Sequence, residues 1–286
     1  MPTAFLFPGQ GSQTPEMGEL VAAHEPRLLD LARRLVGEDP FALADEGTAY
    51  AQPAILATGL AAWTRAGRPS ADLYAGHSLG ELTALAAAGR LEPEDALRLA
   101  ALRGRLMQEA AGAAPGGMLA LLGDGSEARA AAEAAGIVIA NDNGATQIVV
   151  AGADEALKAV AAEAKARGVR TMRLPIRGAF HSPAMEPARA PFRAALSEVE
   201  IGPAAAPVFS SITAAPFAST PDAVRDQLSA ALVSPVRWRE TMLALHRLGA
   251  RCFVEAGPGK ALGRLARRAF DDADIHDLGE LEPARA

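Results

Sequence analysis

The sequence predicts an α/β fold in which a parallel sheet carries a smaller inserted subdomain. Short apolar runs alternate with helical segments near both ends of the chain, which favours a parallel sheet with helices on both faces. Between them, residues 116–176 follow the order β-α-β-β-α-β, which is the signature of a ferredoxin-like unit. We therefore expect a large subdomain formed by residues 1–114 and 178–286, and a ferredoxin-like small subdomain formed by residues 115–177.

The first part of the large subdomain contains strands that each end in a tight, glycine-containing turn. Residues 3–7 (TAFLF) are a strand candidate that leads directly into the loop PGQGSQ. Helical patterns follow over residues 16–36 and 51–67. Residues 72–89 then have the pattern of a strand, a sharp turn and a helix (DLYAG, then LGELTALAAAG). This alternation is the first support for the parallel sheet.

The small subdomain and the end of the chain supply the remaining elements. Four strands are predicted in the insert, GGMLALLGD (116–124), GIVIAN (136–141), TQIVVAG (146–152) and VRTMRLPI (169–176), with two helices, SEARAAAEAAG (126–136) and DEALKAVAAEAKARG (154–168). The large subdomain resumes near GAFHSP, with strand candidates APVFSSI and RCFVEA and a GPGK turn into the helix ALGRLARRAF.

Composition and charge exclude several classes of protein. The 286 residues are 50% hydrophobic and 22% charged, with a net charge of −6, which argues for a globular protein and against a general binder of nucleic acid or acidic membranes. A single cysteine, Cys252, excludes an internal disulfide framework and fits a reducing cytoplasm. We find no secretory-signal pattern and no apolar run near the ~20 residues of a membrane helix. We therefore expect a cytoplasmic protein with neither membrane nor nucleic-acid partners.

Ser78 is a candidate nucleophile. It lies at the centre of a G-x-S-x-G pattern from Gly76 to Gly80, with a predicted strand before it and a predicted helix after it, as a nucleophile elbow requires. The flanking glycines permit the strained turn, and the amino end of the helix offers backbone N–H groups to a developing oxyanion. The alternative is a glycine-flanked turn whose serine caps the helix.

His181 is the candidate base among the five histidines of the chain. It lies in the GAFHSP loop, from which it could reach Ser78 across a cleft, whereas the adjacent His77 is better suited to support the elbow. The remaining histidines lie in charged helices or in the acidic end of the chain and are expected to be solvated: His24, His246 and His276. No acid between Ser78 and His181 stands out as a third member, so we expect a Ser–His dyad whose histidine is oriented by a backbone carbonyl.

Arg103 lies on the wrong side of its predicted helix for a surface charge. In EPEDALRLAALRGRLMQEA, helical periodicity puts Arg103 in the middle of the apolar stripe, while Glu94, Arg98, Arg105 and Glu109 gather on the opposite face. A buried guanidinium needs an anion, because burying it unpaired is costly. Two partners stay open at this point: an internal Asp or Glu, or a substrate carboxylate held by two parallel hydrogen bonds.

The motifs taken together resemble those of the malonyl-CoA:acyl carrier protein transacylases, in order along almost the whole chain. The resemblance rests on FPGQGSQ, AQPA, GHSLGE, RGRLMQEA, ANDN followed by TQIVVAG, GAFHSPAMEP, SPVRW and EAGPGKALGRL. The family architecture that it implies is an α/β-hydrolase-like core with a ferredoxin-like insert.

The resemblance implies a reaction and the residues that perform it. Ser78 would be acylated by malonyl-CoA, and His181 would act first as base and then as acid. The backbone N–H groups of Gln10 and Leu79 would form the oxyanion hole. The acceptor would be the 4′-phosphopantetheine thiol of an acyl carrier protein, and exchange through an acyl-enzyme gives ping-pong kinetics.

The resemblance also implies how the acyl group is recognised. Arg103 would hold the malonyl carboxylate, and Gln52, His77 and Phe180 would contribute to the substrate pocket. Leu79 and Phe180 are similar to the residues of malonyl-selective members. A phenylalanine ring near the α-carbon leaves less room for a branch, although one methyl group is worth only about 1–3 kcal/mol.

The chain departs from the family pattern at three places. Ala231 stands where the family often has a glutamine or asparagine whose carbonyl orients the histidine, and its backbone carbonyl could still serve. Arg177 replaces a small residue before GAFHS, and Ser210–Ser211 replaces a serine–asparagine pair. These departures leave the acceptor open between a housekeeping carrier protein and one from a specialised pathway.

The expected partners are a coenzyme A thioester and a small acidic acyl carrier protein that docks transiently on a basic surface. The basic candidates for docking are Arg177, Arg237 and Lys260, together with Arg239 and Arg264. We expect a monomer. Neither a metal nor a bound cofactor is expected, because the sequence has neither metal-ligand spacing nor a nucleotide-binding fingerprint.

Other functions stay open at this point. A free-standing acyltransferase serving a polyketide synthase in trans needs the same dyad and arginine, and the transferase subunit of malonate decarboxylase also handles malonyl groups. Arg103 and the missing third acid disfavour a thioester hydrolase. The intact motifs around Ser78 and His181 disfavour a degenerate module that only binds a carrier protein.

Overall fold

The larger of two sheets has six strands in the order β10-β9-β1-β2-β7-β8. The computed structural model describes residues 1–280. Neighbouring strands run parallel except at the β7–β8 edge, which is antiparallel. The strands are β1 (Thr3–Phe7), β2 (Leu73–Gly76), β7 (Val208–Ser210), β8 (Ala215–Pro216), β9 (Cys252–Glu255) and β10 (Asp274–Asp277).

Helices cover both faces of this sheet. Because side chains alternate along a strand, Phe5 and Phe7 of β1 pack into one hydrophobic cluster, while Ala4 and Leu6 pack into another on the opposite face. The helices of this part are α1 (Met17–His24), α2 (Pro26–Val36), α3 (Thr48–Arg65), α4 (Gly80–Ala87), α5 (Pro93–Ala113), α8 (Glu186–Ser197), α9 (Pro221–Ala230), α10 (Trp238–Arg247) and α11 (Ala261–Ala269). Within residues 1–280, none of the helices combines the length and hydropathy needed to span a membrane.

The prediction of one continuous helix over residues 16–36 is wrong. The segment forms two helices, because α1 ends before Glu25 and α2 begins at Pro26. Proline has no N–H to continue the hydrogen bonds of α1, but it is well accommodated in the first turn of a new helix. Strands β8 and β10 and the three helices α8 to α10 were not predicted from the sequence. Strand β10 (DIHD) is short and polar, so it has no apolar run that periodicity detects.

The smaller sheet is antiparallel, with four strands in the order β4-β5-β3-β6. Its elements are β3 (Gly117–Leu122), α6 (Gly125–Ala134), β4 (Val138–Gly144), β5 (Gln147–Gly152), α7 (Asp154–Ala166) and β6 (Arg170–Arg177). Leu119, Leu121 and Val150 pack against α6 and α7 on one face, while Met118 and Val149 face the main hydrophobic cluster. The predicted fold class, a parallel α/β core with a separate ferredoxin-like sheet, is confirmed. The residue boundaries proposed for the two subdomains stay a prediction.

Two junctions bring loops of both sheets to one edge. Strands β1 and β2 are paired with Phe7 opposite Gly76, so the loops that follow them emerge side by side at the carboxyl edge of the parallel sheet. Strand β4 joins the large part through a bridge between Asn141 and Val236. The Val236 backbone donates to the carbonyl of Ala140 and accepts from the amide of Asp142, both at 2.8 Å. The small sheet is thereby held next to this edge.

Candidate active site

Ser78 lies on the sharp turn between β2 and α4. Its backbone φ of 54° is in the left-handed region, which is uncommon for a residue with a side chain. The flanking glycines are required by space: a Cβ on Gly76 would overlap the backbone of Gly80, and a Cβ on Gly80 would overlap the carbonyl of Phe7. The turn has the strand–turn–helix geometry of a nucleophile elbow, with the serine at the carboxyl edge of the sheet.

His181 reaches Ser78 from the loop after β6. Its Nε2 lies 2.7 Å from the Ser78 Oγ, and its Nδ1 lies 2.8 Å from the backbone carbonyl oxygen of Ala231. Because a carbonyl only accepts, Nδ1 carries the proton and Nε2 is left to accept from the serine hydroxyl. Alanine at position 231 therefore still orients His181 through its backbone carbonyl, and only a side-chain contact of the usual glutamine or asparagine is lost.

The environment of His181 keeps the imidazole neutral. The side chain is buried, and burial together with the positive charge of Arg103 lowers its pKa to about 3. A neutral imidazole that accepts from a serine hydroxyl is the form required of a general base. Among residues 1–280, no carboxylate hydrogen-bonds to His181, so the pair is a dyad whose orienting group is a carbonyl.

The loop after β1 lies against the elbow. Gly9 is pressed on the backbone carbonyl of His77, where a Cβ would come within 2.6 Å of the oxygen. Gln10 and Leu79 both line the cleft beside Ser78. In the part of the chain that the structure describes, neither of their amides donates a hydrogen bond. Two unused N–H groups beside a nucleophile are the arrangement that stabilises an oxyanion.

Arg103 lies at the floor of the same cleft, on the buried face of α5. It is 3% exposed; its Nη1 donates to the Gln52 Oε1 at 2.8 Å and its Nη2 to the Ser78 Oγ at 3.2 Å. Gln52 is fixed in turn by a 2.8 Å hydrogen bond from its Nε2 to the Thr48 Oγ1. Across residues 1–280, Arg103 forms no ion pair with a carboxylate. Of the two partners left open by the sequence, an internal acid in contact with the guanidinium is not observed.

The nearest acidic influence on Arg103 is Glu81 of α4. Its Oε1 accepts from the Ser211 amide at 2.6 Å and from the Ser211 Oγ at 2.9 Å, so it is engaged elsewhere. Burial raises the pKa of Glu81 to about 7, opposed by these hydrogen bonds and by the Arg103 charge. Burial also lowers the pKa of Arg103 to about 10, opposed by Glu81. The guanidinium is therefore charged at neutral pH.

His77 connects the elbow to the small sheet. Its Nε2 lies 2.9 Å from the Asn143 Oδ1 on β4, and its ring meets the edge of the Trp238 ring at a centroid distance of 5.4 Å. Asn143 is held by Gln147 at 3.3 Å. Burial lowers the pKa of His77, so its ring is neutral. Asn143 was not predicted from the sequence as a site residue, although it lies in the ANDN motif that carries part of the family resemblance.

All of the predicted catalytic, oxyanion and substrate-pocket residues line one cleft of about 700 Å³ between the two sheets. They are Gln10, Gln52, His77, Ser78, Leu79, Arg103, Phe180 and His181. The open face of the small sheet forms the opposite wall through Met118, Val149, Leu174 and Ile176. The cleft thus has an ionic floor and an apolar wall, which suits a small charged acyl group on a longer, mostly neutral arm.

The three main docking candidates lie outside this cleft. Arg177 is exposed at the end of β6, and Lys260 pairs with Asp277 at 3.4 Å. Arg237 is engaged with Glu240 at 2.9 Å and with backbone carbonyls of the loop after β7. The basic residues at the cleft itself, apart from Arg103, are on α11.

Other titratable groups lie apart from the cleft. His246, expected to be solvated, is instead stacked on Phe270 at 4.4 Å and lies 2.8 Å from an Asp272 oxygen; the sequence gives no periodic signal for that contact because Phe270 follows the end of α11. Residues 1–280 contain no group of three or more His, Cys, Asp or Glu side chains placed to hold a metal.

Comparison with known proteins gives a consistent result. The family described as "Acyl transferase domain" matches residues 4–281. The malonyl CoA-acyl carrier protein transacylase of Escherichia coli K12 is 36% identical, over 97% of this chain and 96% of its own length. The crystal structure of the acyl-carrier-protein S-malonyltransferase from Burkholderia pseudomallei superimposes with a TM-score of 0.90 at 35% identity, covering 99% of this chain and 97% of that one. A malonyl-transacylase in complex with its type II PKS acyl-carrier protein superimposes at 0.89 with 31% identity, covering 98% and 97%. The chain belongs to the acyl transferase family and, within it, to the malonyl-CoA:acyl carrier protein transacylases.

Proposed function

We propose that this protein moves a malonyl group from malonyl-CoA to the phosphopantetheine thiol of an acyl carrier protein through a malonyl ester on Ser78. The observation that carries the proposal is the position of Arg103. A buried, charged guanidinium without a carboxylate partner in residues 1–280 lies 3.2 Å from the nucleophile of a Ser–His dyad. An acyl group that brings its own carboxylate supplies the missing anion.

In the first half-reaction the Ser78 Oγ attacks the thioester carbonyl as the His181 Nε2 takes its proton. The carbonyl oxygen becomes an oxyanion, which the amides of Gln10 and Leu79 receive. The C–S bond then breaks, and the leaving thiolate takes the proton from His181. The products are malonyl-Ser78 and coenzyme A.

The second half-reaction runs the same steps with a different thiol. The phosphopantetheine thiol of the carrier protein gives its proton to the His181 Nε2 and attacks the ester carbonyl. Collapse of the second oxyanion releases the Ser78 oxygen, which recovers its proton from His181. Because a thioester is exchanged for an ester and back, one base and one oxyanion hole serve both directions.

Arg103 makes the site selective for an acyl group that carries a free carboxylate, such as malonyl. Its Nη1 and Nη2 are now directed to Gln52 and to the Ser78 oxygen, and a malonyl carboxylate would be held by the same fork. Phe180, which is buried against the cleft, restricts the space for a branched acyl group. Gln52 acts through Arg103 as a positioning residue.

The acceptor is an acyl carrier protein, and the proposal also covers the pathway to which that carrier protein belongs. We assign the housekeeping carrier protein of fatty acid synthesis as the first acceptor, supported by the near full-length similarity to the Escherichia coli enzyme. A polyketide carrier protein is the second, supported by the similarity to the transacylase solved with its type II PKS carrier protein. A cytoplasmic location is supported by the single cysteine of the chain, and the monomeric state stays a prediction.

The test is intact-protein mass spectrometry after brief incubation with malonyl-CoA, methylmalonyl-CoA or acetyl-CoA. We expect a malonyl adduct on the wild type and none on Ser78→Ala. Adding holo-carrier proteins from fatty acid and polyketide synthesis to the malonyl-enzyme should then discharge the adduct onto the true acceptor.

The same experiment separates the alternatives. Release of free malonate without an adduct would indicate a thioester hydrolase. An adduct that persists on Ser78→Ala would remove the serine from the mechanism.

A further inference from the structure

Helix α11 presents two arginines to the mouth of the active-site cleft. Arg264 and Arg268 are exposed and line the same cleft as Ser78, and their spacing of four residues puts them on one face of the helix. Asp45 also lines this cleft, but its carboxylate accepts from the Gln13 Nε2 at 3.2 Å.

The two guanidinium groups are unengaged, whereas their neighbours are not. No ion pair or hydrogen bond of the side chain of Arg264 or Arg268 occurs within residues 1–280. Arg267 lies between them in sequence but donates to the Ile275 carbonyl at 3.0 Å and does not line the cleft. At the mouth of the cleft, Arg264 and Arg268 therefore have no hydrogen-bond or ion-pair partner within residues 1–280, whereas Arg267 on the adjacent face of α11 is hydrogen-bonded.

The charges of Arg264 and Arg268 weaken α11, and only that of Arg268 is compensated by the helix itself. Like charges four residues apart weaken a helix. Arg268 gains from the negative end of the helix dipole, but Arg264 is in the first half of this nine-residue helix, where a cation gains nothing from it. Neither the helix dipole nor a partner within residues 1–280 therefore stabilises the Arg264 charge.

The amino end of α11 does not serve as that anion's site. The carboxylate of Glu255 already accepts from the amides of Leu262 at 3.0 Å and Gly263 at 2.7 Å. An anion arriving at this side of the cleft would therefore be bound by the two side chains.

We propose that Arg264 and Arg268 bind the phosphate that ends the pantetheine arm. The inference rests on the proposed function, because both substrates then place a pantetheine thiol at Ser78 and a phosphate at the outer end of the same arm. That phosphate belongs to the diphosphate of coenzyme A in one substrate and to the phosphodiester on the carrier protein in the other. Two guanidinium groups provide several N–H donors and double positive charge for either group.

The test compares two acceptors that differ only by the phosphate. Wild-type enzyme loaded from malonyl-CoA is discharged with 4′-phosphopantetheine or with pantetheine, and the ratio of the two second-order rate constants is measured. We expect the wild type to favour the phosphorylated acceptor by about tenfold, and Arg264→Ala/Arg268→Ala to lose that preference while its rate with pantetheine is unchanged. The matched control, Arg267→Ala, should keep the wild-type ratio.

Two further arms identify the source of the phosphate. For the double variant, kcat/KM should fall by about the same factor for malonyl-CoA as donor and for holo-carrier protein as acceptor. A loss confined to the carrier protein would overturn the inference in favour of docking to an acidic protein surface, and a loss confined to malonyl-CoA would overturn the shared site.

The inference would also be overturned if the double variant kept the wild-type preference for 4′-phosphopantetheine. It would equally be overturned if the variant's rate constants for 4′-phosphopantetheine and pantetheine fell by the same factor. If wild-type enzyme forms no malonyl adduct at all, the proposed function fails instead, so the two failures are distinguishable.

Discussion

Arg103 and Asp142 are both buried charges beside the active-site cleft, and the fold treats them in opposite ways. Asp142 lies on β4 behind the small-sheet wall, where its Oδ2 accepts from Arg129 of α6 at 2.9 Å and from Arg239 of α10 at 3.2 Å. Arg103 lies on the floor, where it contacts only neutral groups, Gln52 and Ser78. The charge of Asp142 is compensated by two arginines of the chain, whereas the charge of Arg103 has no carboxylate partner within residues 1–280.

This difference in pairing separates a charge that stabilises the fold, Asp142, from a charge that is available to bind a ligand, Arg103. The pair with Arg239 joins the small sheet to α10, in line with the backbone bridge between Asn141 and Val236, while the pair with Arg129 ties β4 to α6. Arg103 forms no ion pair within residues 1–280. Burying its charge therefore lowers the stability of the fold in the absence of a bound anion. Three changes test this comparison.

The largest effect is expected from Arg103→Ala. Truncating one partner of a buried charge pair typically costs 2–5 kcal/mol, so kcat/KM for malonyl loading should fall roughly 100-fold. Loading from acetyl-CoA should fall much less, because the acetyl group has no carboxylate to lose. Removing an uncompensated buried charge should leave the free energy of unfolding unchanged or raise it. Rapid-quench mass measurements with both donors, and urea denaturation, give the two readouts.

Arg103→Lys serves as the control, since it keeps the charge but not the fork, and it should lie between the wild type and the alanine variant with malonyl-CoA. Equal losses for both donors in Arg103→Ala would mean that Arg103 acts only by positioning Ser78.

A smaller effect, on stability instead of activity, is expected from Asp142→Asn. The two arginines are 39% and 44% exposed and keep access to water, so the loss should be only about 1 kcal/mol in the free energy of unfolding. The change should appear in the urea midpoint, with the malonyl-loading rate little altered. A loading defect as large as that of Arg103→Ala would break the comparison, because Asp142 would then belong to the chemistry.

The smallest effect concerns pH, through another buried ionisable group, Glu81. Burial raises its pKa from 4.5 to about 7, so the stabilisation from its folded environment is present below pH 4.5 and is lost as pH rises through 7. His181 acts oppositely: its pKa falls from 6.5 to about 3, so its contribution is present above pH 6.5 and is lost as pH falls toward 3. The two slopes offset each other between pH 4.5 and 6.5.

Glu81→Gln removes one of these slopes. Urea midpoints measured from pH 4.5 to 7 should rise with pH more steeply in the variant than in the wild type. A variant whose profile parallels the wild type would show that Glu81 is ionised throughout this range.

Local patterns sufficed for several features of the site. Ser78 was predictable because glycines on both sides, a strand before and a helix after are all local in sequence. The position of Arg103 followed from helical periodicity, and its 3% exposure agrees with that prediction. The fold class followed from the alternation of apolar runs, although the break at Pro26 was overlooked.

Pairings across long separations were beyond those patterns. His181 and Ser78 are 103 residues apart, and His181 and Ala231 are 50 apart, so their hydrogen bonds exist only because two loops meet at one sheet edge. The contact of Asn143 with His77 spans 66 residues and two sheets.

The sequence by itself determined which side chains are chemically capable and which face of its own element each occupies, because strand and helix periods are set by the backbone alone. Only the tertiary structure decided whether each charge found a partner. Nothing in the local pattern distinguishes Arg103, left without an acid, from Asp142, given two arginines. The distinction depends on which elements pack together, and packing is decided by the burial of the whole apolar surface and not by any one segment.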